Sequence, residues 1–377
     1  MLRGNGIQWL VACVLVAGCG RGATADRRDP QAAEPHETKT SSATPRTTLH
    51  EGLIIGEFRL PPNAVVDGDT IRVEGLDGSV RLLGVDSEEK IRSRRDRVAI
   101  EKDFRGYLKG KRGNHGRPAK AATPLGDQAS AFGEAFFGDA ETVRLERDDP
   151  MALRGRFGRA LAYAFVNQDG KWVSYNVELV RVGLSPYFTK YGYSHRFHNQ
   201  FARAEQEARD AKRGIWDPSG LHYDDYEERK AWWDARARFI QAFDHDAASS
   251  PDYVLLTHAN AESAMAARIG QEVTVLGTVD EIQYFKGLVR VFLAGADRED
   301  FPIIFRDRGV FERSGIREAI GEPITVRGVV ERYTKGDYTT LQIVVRTPEQ
   351  VRIAEVPPPR RRQATLRENE TGDAAGR

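Results

Sequence analysis

Asp67, Gly68, Asp69 and Thr70 stand together, and Arg81-Leu82-Leu83-Gly84-Val85-Asp86-Ser87-Glu88-Glu89 follows shortly after. Each group lies at the end of a short apolar strand. Val65 and Val66 lead into the first turn, Ile71 and Val73 leave it, and residues 80–85 form a strand that ends in carboxylates. Carboxylate oxygens at strand ends suit a hard divalent cation. An arginine beside them can hold a phosphate through two parallel hydrogen bonds. Together these residue types point to metal-assisted cleavage of a phosphodiester.

Several elements must position these groups. Strands separated by glycine turns fill the region up to about residue 100, with Gly75 and Gly78 between the two opening strands. The pattern predicts a helix over 128–137, with Ala131, Phe132, Ala135 and Phe136 on one face. Strands follow at 142–146 and 160–166, with a turn at Asn167 to Gly170. A short helix over 177–182 stops at Gly183, and an amphipathic helix over 201–212 ends at Gly214. The expected class is α+β, mainly β: a five-stranded OB-type β-barrel with flanking helices, spanning 51–217.

Residues 218–250 read as a helical connector with Tyr226, Trp232, Trp233 and Phe239 on one side. From 251 to 355 a second all-β pattern begins, and it contains an echo: 269–279 and 320–330 share an Ile-Gly start and a later glycine, Gly277 and Gly328. Two copies are too few for a solenoid and suit equivalent strands of a second small OB-like β-barrel. Such barrels bind single-stranded nucleic acid or oligosaccharide. Tyr284, Phe285, Arg290, Tyr333 and Tyr338 are the candidates for a stacking face, with ordinary core and surface roles as the equal alternative.

The order and kind of the motifs resemble the staphylococcal nuclease (thermonuclease) family over about residues 60–217. The matching stretches are Val66 to Ile71, Val80 to Glu89, Arg156-Phe157-Gly158-Arg159 with Ala160 to Tyr163, Asn176 to Leu184, and Ala204-Glu205 through Gly214-Ile215-Trp216. The resemblance implies a Ca²⁺-dependent hydrolase acting on DNA, with RNA left open. It implies that Asp69 and Asp86 hold the metal with the backbone carbonyl of Ser87, and that Asp67 lies close behind. Glu89 matches the glutamate associated with the attacking water, and Arg81 and Arg159 match the arginines that bind the scissile phosphate. The family usually has proline before that glutamate, whereas this chain has Glu88, so Glu88 is an alternative base. Tyr187, and second Tyr191, match a region whose tyrosines line the nucleotide site.

Between Lys90 and Pro124 lies a basic insertion, longer than the family pattern. Two readings stand for it: a clamp on the nucleic-acid backbone, or a solvated, partly disordered loop. The net charge of +1 does not exclude a nucleic-acid partner, because the basic residues are clustered. The eight histidines are scattered without zinc-ligand spacing, and no glycine-rich loop suggests a nucleotide cofactor.

The start of the chain has a basic residue, an apolar run over 7–16 and small residues before Cys19, as a secretory signal does. Val16-Ala17-Gly18-Cys19 resembles a bacterial lipobox, which implies an exported envelope lipoprotein anchored in a membrane through Cys19. An ordinary signal peptide and an extracellular product is the other reading. Cys13 and Cys19 are the only cysteines, so no disulfide is expected in the body of the protein. Residues 20–50 and 356–377 have almost no large apolar side chains and are expected to be a disordered tether and tail. Two non-catalytic classes also fit: a silent nucleic-acid-binding lipoprotein, and an envelope scaffold whose second barrel binds glycan or protein.

Overall fold

A computed structural model describes residues 52–359, apart from 297 and 298. The expectations for the signal segment 1–19, the tether 20–50, Cys19 and nearly all of the tail fall outside the described residues. The fold is mixed α and β, with two seven-stranded sheets and several helices.

The first sheet contains β1 (Ile54–Arg59), β2 (Val65–Asp67), β3 (Thr70–Ile71), β4 (Val80–Leu82), β5 (Thr142–Glu146), β6 (Leu161–Gln168) and β7 (Lys171–Ser174). Its order is β1-β5-β6-β4-β3-β2, with β7 on β6. Only β4 and β6 pair in parallel. The Glu74 N–H donates to the Arg59 carbonyl at 2.9 Å, joining the end of β1 to the segment beyond β3. Inward residues of β4, β5 and β6, among them Leu82, Val143, Leu145, Ala162 and Ala164, form the buried core with Phe201 and Ala204.

Helices α1 (Arg94–Lys102) and α2 (Phe104–Arg112) occupy the insertion, followed by α3 (Pro124–Phe137). This corrects the reading of the insertion as a solvated loop. Ser93 and Asp103 cap the two helices by accepting the Asp96 and Gly106 N–H groups. Ile100, Phe104, Tyr107 and Leu108 form their own apolar cluster with Ile215, Tyr223 and Tyr226. The basic composition concealed this apolar stripe, which provides the burial that makes two short helices stable. Thr123 caps α3, and Pro124 stands in its first turn. Two further helices, α4 (Tyr175–Arg181) and α5 (His198–Asp210), pack on the first sheet. The connector holds α6 (Tyr226–Ala247), which buries Trp232, Trp233 and Arg236.

The second sheet runs through β8 (Tyr253–Leu255), β9 (Glu272–Phe285), β10 (Leu288–Ala294), β11 (Asp300–Phe305), β12 (Pro323–Lys335), β13 (Tyr338–Val345) and β14 (Val351–Ile353), with α7 (Ala261–Ala266) and α8 (Arg308–Arg313) between strands. Its pairings close on themselves: β9–β10, β10–β11, β11–β13, β13–β12 and β12–β9. Within that circuit only β11–β13 is parallel. The two echoed segments pair directly, Ile324 opposite Gly277 and Val273 opposite Gly328. A Cβ on Gly277 would lie 2.9 Å from Leu293 Cβ, and one on Gly328 2.5 Å from Ile343 Cγ2, so each glycine makes room for an interior side chain.

The pairing register also corrects the proposed stacking face. Tyr284, Phe285 and Arg290 lie near the β9–β10 turn, where Val289 pairs with Phe305. Tyr338 begins β13, and that strand runs parallel to β11 toward Phe305 and Val345. Tyr333 and Tyr338 therefore lie toward the opposite end of the strands.

Candidate active site

The acidic turn joins β2 to β3 and is held from behind. A Cβ on Gly68 would come within 2.6 Å of Ala129 Cβ and 2.9 Å of Ser87 Cβ, so the approach of α3 requires glycine. The Tyr175 hydroxyl donates to the Gly68 carbonyl at 2.8 Å. Asp69 is buried and accepts the Thr70 hydroxyl at 2.8 Å. Asp67 accepts from Arg92 of the insertion at 2.7 Å, while its Oδ1 is buried without a hydrogen bond.

Arg81 lies between the two predicted metal ligands. Its Nη1 pairs with Asp69 Oδ2, and its Nη2 lies 2.6 Å from Asp86 Oδ1 and 3.2 Å from the Val85 carbonyl. The Asp86 N–H donates to Ser185 Oγ at 2.8 Å, which fixes the backbone there. A second cation completes the cluster. Lys120 Nζ lies 2.9 Å from Asp86 Oδ1 and 3.1 Å from Glu89 Oε1. Burial pushes the Asp86 carboxyl upward, but Lys120 and Arg81 outweigh it and hold the group below its usual range. Burial disfavours the charge of Lys120 and Arg81 too, and the carboxylates override it in both. Sequence reasoning missed Lys120, which was one basic residue among many in the insertion. No spacing signal joins it to Asp86 across the intervening helices.

Glu88 and Glu89 part company. Glu88 is 1% exposed and accepts from the Thr123 hydroxyl, the Tyr223 N–H at 2.7 Å and the Tyr226 hydroxyl at 2.8 Å. Burial raises its pKa against those donors. With both oxygens engaged in the interior, Glu88 has no open face for a water or substrate. Glu89 keeps a half-exposed carboxylate paired to Lys120, and its backbone carbonyl accepts the Thr123 N–H at 3.0 Å.

Strand pairing brings the backbone of Arg159 close to Arg81. Arg81 is the parallel partner of Leu161, and its N–H donates to the Ala160 carbonyl at 2.9 Å. Arg159 is thus one residue from a direct backbone link to Arg81. Its side chain is exposed and makes no hydrogen bond or ion pair among the described residues.

Tyr187 is not available to line a nucleotide site. It is 3% exposed, stacks on Phe201 with ring centroids 4.8 Å apart, and accepts the Ser194 N–H at 2.8 Å through its hydroxyl. Its ring belongs to the core, because Tyr187 forms a bridge with Val85 that turns it inward. Tyr191 is 72% exposed and packs edge-on to Phe188.

Comparison with known proteins places this geometry. The staphylococcal nuclease homologue profile matches residues 79–218. An uncharacterized protein, MJ1439, of Methanocaldococcus jannaschii is 31% identical over 157 residues, 40% of this chain and 68% of that protein. The chain belongs to the staphylococcal nuclease homologue family. Endonuclease YncB of Bacillus subtilis is 26% identical over 224 residues, 56% of this chain and 90% of the relative. The SPbeta prophage-derived endonuclease YokF of the same organism is 29% identical over 157 residues, 41% of this chain and 43% of the relative.

Members of this family are generally Ca²⁺-dependent, so the cluster can be tested for fit to that ion. Among the described residues no three His, Cys, Asp or Glu side chains converge as a metal cage. Asp69 and Asp86 nonetheless share one guanidinium, so their hard oxygen donors face a common space. The buried Asp67 Oδ1 and Ser87 Oγ nearby lack hydrogen bonds. The donor chemistry fits an oxygen-liganded divalent ion held by few protein groups.

Proposed function

We propose that this chain is a Ca²⁺-dependent endonuclease that hydrolyses phosphodiester bonds of DNA, with RNA as a second substrate class. The observation that carries the reading is the juxtaposition of Arg81, Asp69 and Asp86 in one cluster, with an uncommitted Arg159 in the turn just before the neighbouring strand. Asp69, Asp86 and the Ser87 carbonyl would hold Ca²⁺, and the bound ion would offset phosphate charge and orient water.

The side chains then divide the chemistry. Arg81 and Arg159 offer guanidinium N–H donors to the nonbridging phosphate oxygens and oppose the charge that grows as water attacks phosphorus. Glu89 accepts the proton of that water while the phosphorus–oxygen bond to the leaving strand breaks, a contribution of about 10²–10⁴-fold. Lys120 lies against Asp86 and Glu89, offsets the repulsion between the clustered negative charges, and with Arg81 holds the Asp86 carboxyl below its usual range. Glu88 serves the scaffold. Tyr191 remains the candidate for contact with a nucleotide.

In the same reading the first sheet is built around a five-stranded OB-type barrel, and the second is a small OB-like barrel that aids substrate binding. Support comes from one parallel pair among antiparallel partners in each, β4–β6 in the first sheet and β11–β13 in the closed circuit of the second. Residues 1–19 act as a lipoprotein signal, and Cys19 carries the membrane anchor. Loss of membrane fractionation in Cys19→Ala checks the anchor.

The test of the activity is direct. Purified protein is incubated with DNA in Ca²⁺ or in EDTA. Cleavage in Ca²⁺ that EDTA abolishes is expected. Binding without cleavage would overturn the catalytic reading in favour of a silent binding module, and neither would favour a scaffold.

A further inference from the structure

The turn that carries Arg159 is gripped by the second sheet. Arg156 Nη2 lies 2.5 Å from Asp280 Oδ2, and its Nη1 lies 2.8 Å from Asp300 Oδ1. One planar guanidinium thus spans carboxylates from two different strands, an arrangement that arginine can make and lysine cannot copy. Asp280 is presented by a β-bulge: Val279 pairs with Leu293 and Glu281 with Phe292, which leaves Asp280 unopposed on β9. Bulges of this kind re-aim a side chain out of the regular alternation. Asp300 opens β11 opposite Ala294.

The turn itself is closed by hydrogen bonds. The Gly158 N–H donates to the Gly155 carbonyl, and the Gly155 N–H donates to the Arg159 carbonyl, each at 2.9 Å. Arg154 Nη1 donates to the Gly158 carbonyl at 2.7 Å. Gly158 takes a left-handed φ of 73°. Displacing Arg156 therefore displaces Arg159. On the other side, Ala160 is tied to Arg81 through the strand pairing. A second link lies upstream, where the Ala259 N–H donates to the Met151 carbonyl at 3.0 Å.

We propose that Arg156 is a positioning residue: Asp280 and Asp300 of the second sheet hold it, and through the closed turn they set where the Arg159 guanidinium meets the phosphate. The inference rests on the nuclease reading. Partly exposed ion pairs contribute little to global stability. A misplacement of about 1 Å in a reacting group costs on the order of 10²-fold in rate. The link is thus worth more to the position of Arg159 than to the fold.

The experiment uses the full chain, with DNA cleavage in Ca²⁺, thermal melting, and amide hydrogen exchange of residues 154–160 without substrate. Arg156→Ala and the paired change Asp280→Asn with Asp300→Asn are each expected to lower kcat about ten- to hundredfold. The melting temperature should be nearly unchanged, exchange in the turn should be faster, and combining the changes should add no further loss. Arg156→Lys should recover part of the rate. In an Arg159→Ala background, Arg156→Ala should change kcat no further. Wild-type kcat in Arg156→Ala, or an equal loss with and without Arg159, would overturn the proposal. If the wild-type chain cleaves nothing, the nuclease reading has failed by itself. Exchange then still decides the grip, since an unchanged turn in Arg156→Ala overturns it and a loosened turn supports it.

Discussion

Glu88 and Glu89 are adjacent in the chain and occupy opposite environments, Glu88 buried beneath Thr123, Tyr223 and Tyr226, and Glu89 half-exposed beside Lys120. Glu88 therefore joins the acidic loop to the insertion and the connector helix, and only Glu89 keeps a carboxylate open to solvent. Removing Glu88 strands buried donors, at about 1–3 kcal/mol for an unsatisfied group. Glu88→Ala is expected to lower the midpoint of urea unfolding clearly. Glu89→Ala should leave that midpoint near the wild type and reduce cleavage by about 10²–10⁴-fold. A stable, inactive Glu88→Ala beside an active Glu89→Ala would reverse the assignment.

Gly68 leaves no room for a methyl group between Ala129 and Ser87. Gly68→Ala should cost about 1–3 kcal/mol by overpacking. Because Asp67 and Asp69 flank the glycine, the half-maximal Ca²⁺ concentration for cleavage should rise as well. Chemical denaturation and a Ca²⁺ titration check the two effects separately.

Glu322 accepts from Arg236 at 2.6 Å, Arg117 at 3.0 Å and the Trp232 indole at 3.0 Å, and so ties the connector and the insertion to the second sheet. Burial already lowers the pKa of Arg236, which is 1% exposed. Glu322→Ala leaves that guanidinium without its carboxylate and should cost about 3–5 kcal/mol. Glu322→Gln keeps an acceptor and should cost less. Equal unfolding midpoints for wild type and Glu322→Ala would refute the hub.

His195 gives the fold a pH dependence on the alkaline side. A hydrogen bond with Asp244 at 3.3 Å on α6, with Asp148 and Asp149 nearby, pushes its pKa up to about 9 against partial burial. The folded value exceeds the unfolded one, near 6.5. Its stabilising contribution is therefore complete below about pH 6.5 and is lost as pH rises through about 9. Thermal melting between those limits should fall less steeply in His195→Gln than in the wild type. Parallel curves would remove His195 as the cause.

The acidic turn, the arginine at the next strand end and the motif order were legible because strand alternation and turn glycines repeat at short range in the chain. The echo over 269–279 and 320–330 also announced two related strands. Pattern alone did not show that the two would lie side by side, since pairing joins residues far apart in sequence.

By itself the sequence determined the residue types of a phosphodiester site, the family they resemble and the division into two β-rich regions with a helix between them. These follow from local periodicity and composition. Only the tertiary structure decided that Lys120 joins Asp86, that Tyr187 belongs to the core, that Glu88 is buried while Glu89 stays open, and that Arg156 reaches Asp280 and Asp300. The reason is physical. A charge or a ring takes its role from burial and from partners brought close by folding, and those partners lie from tens to more than a hundred residues away, beyond the reach of any local pattern.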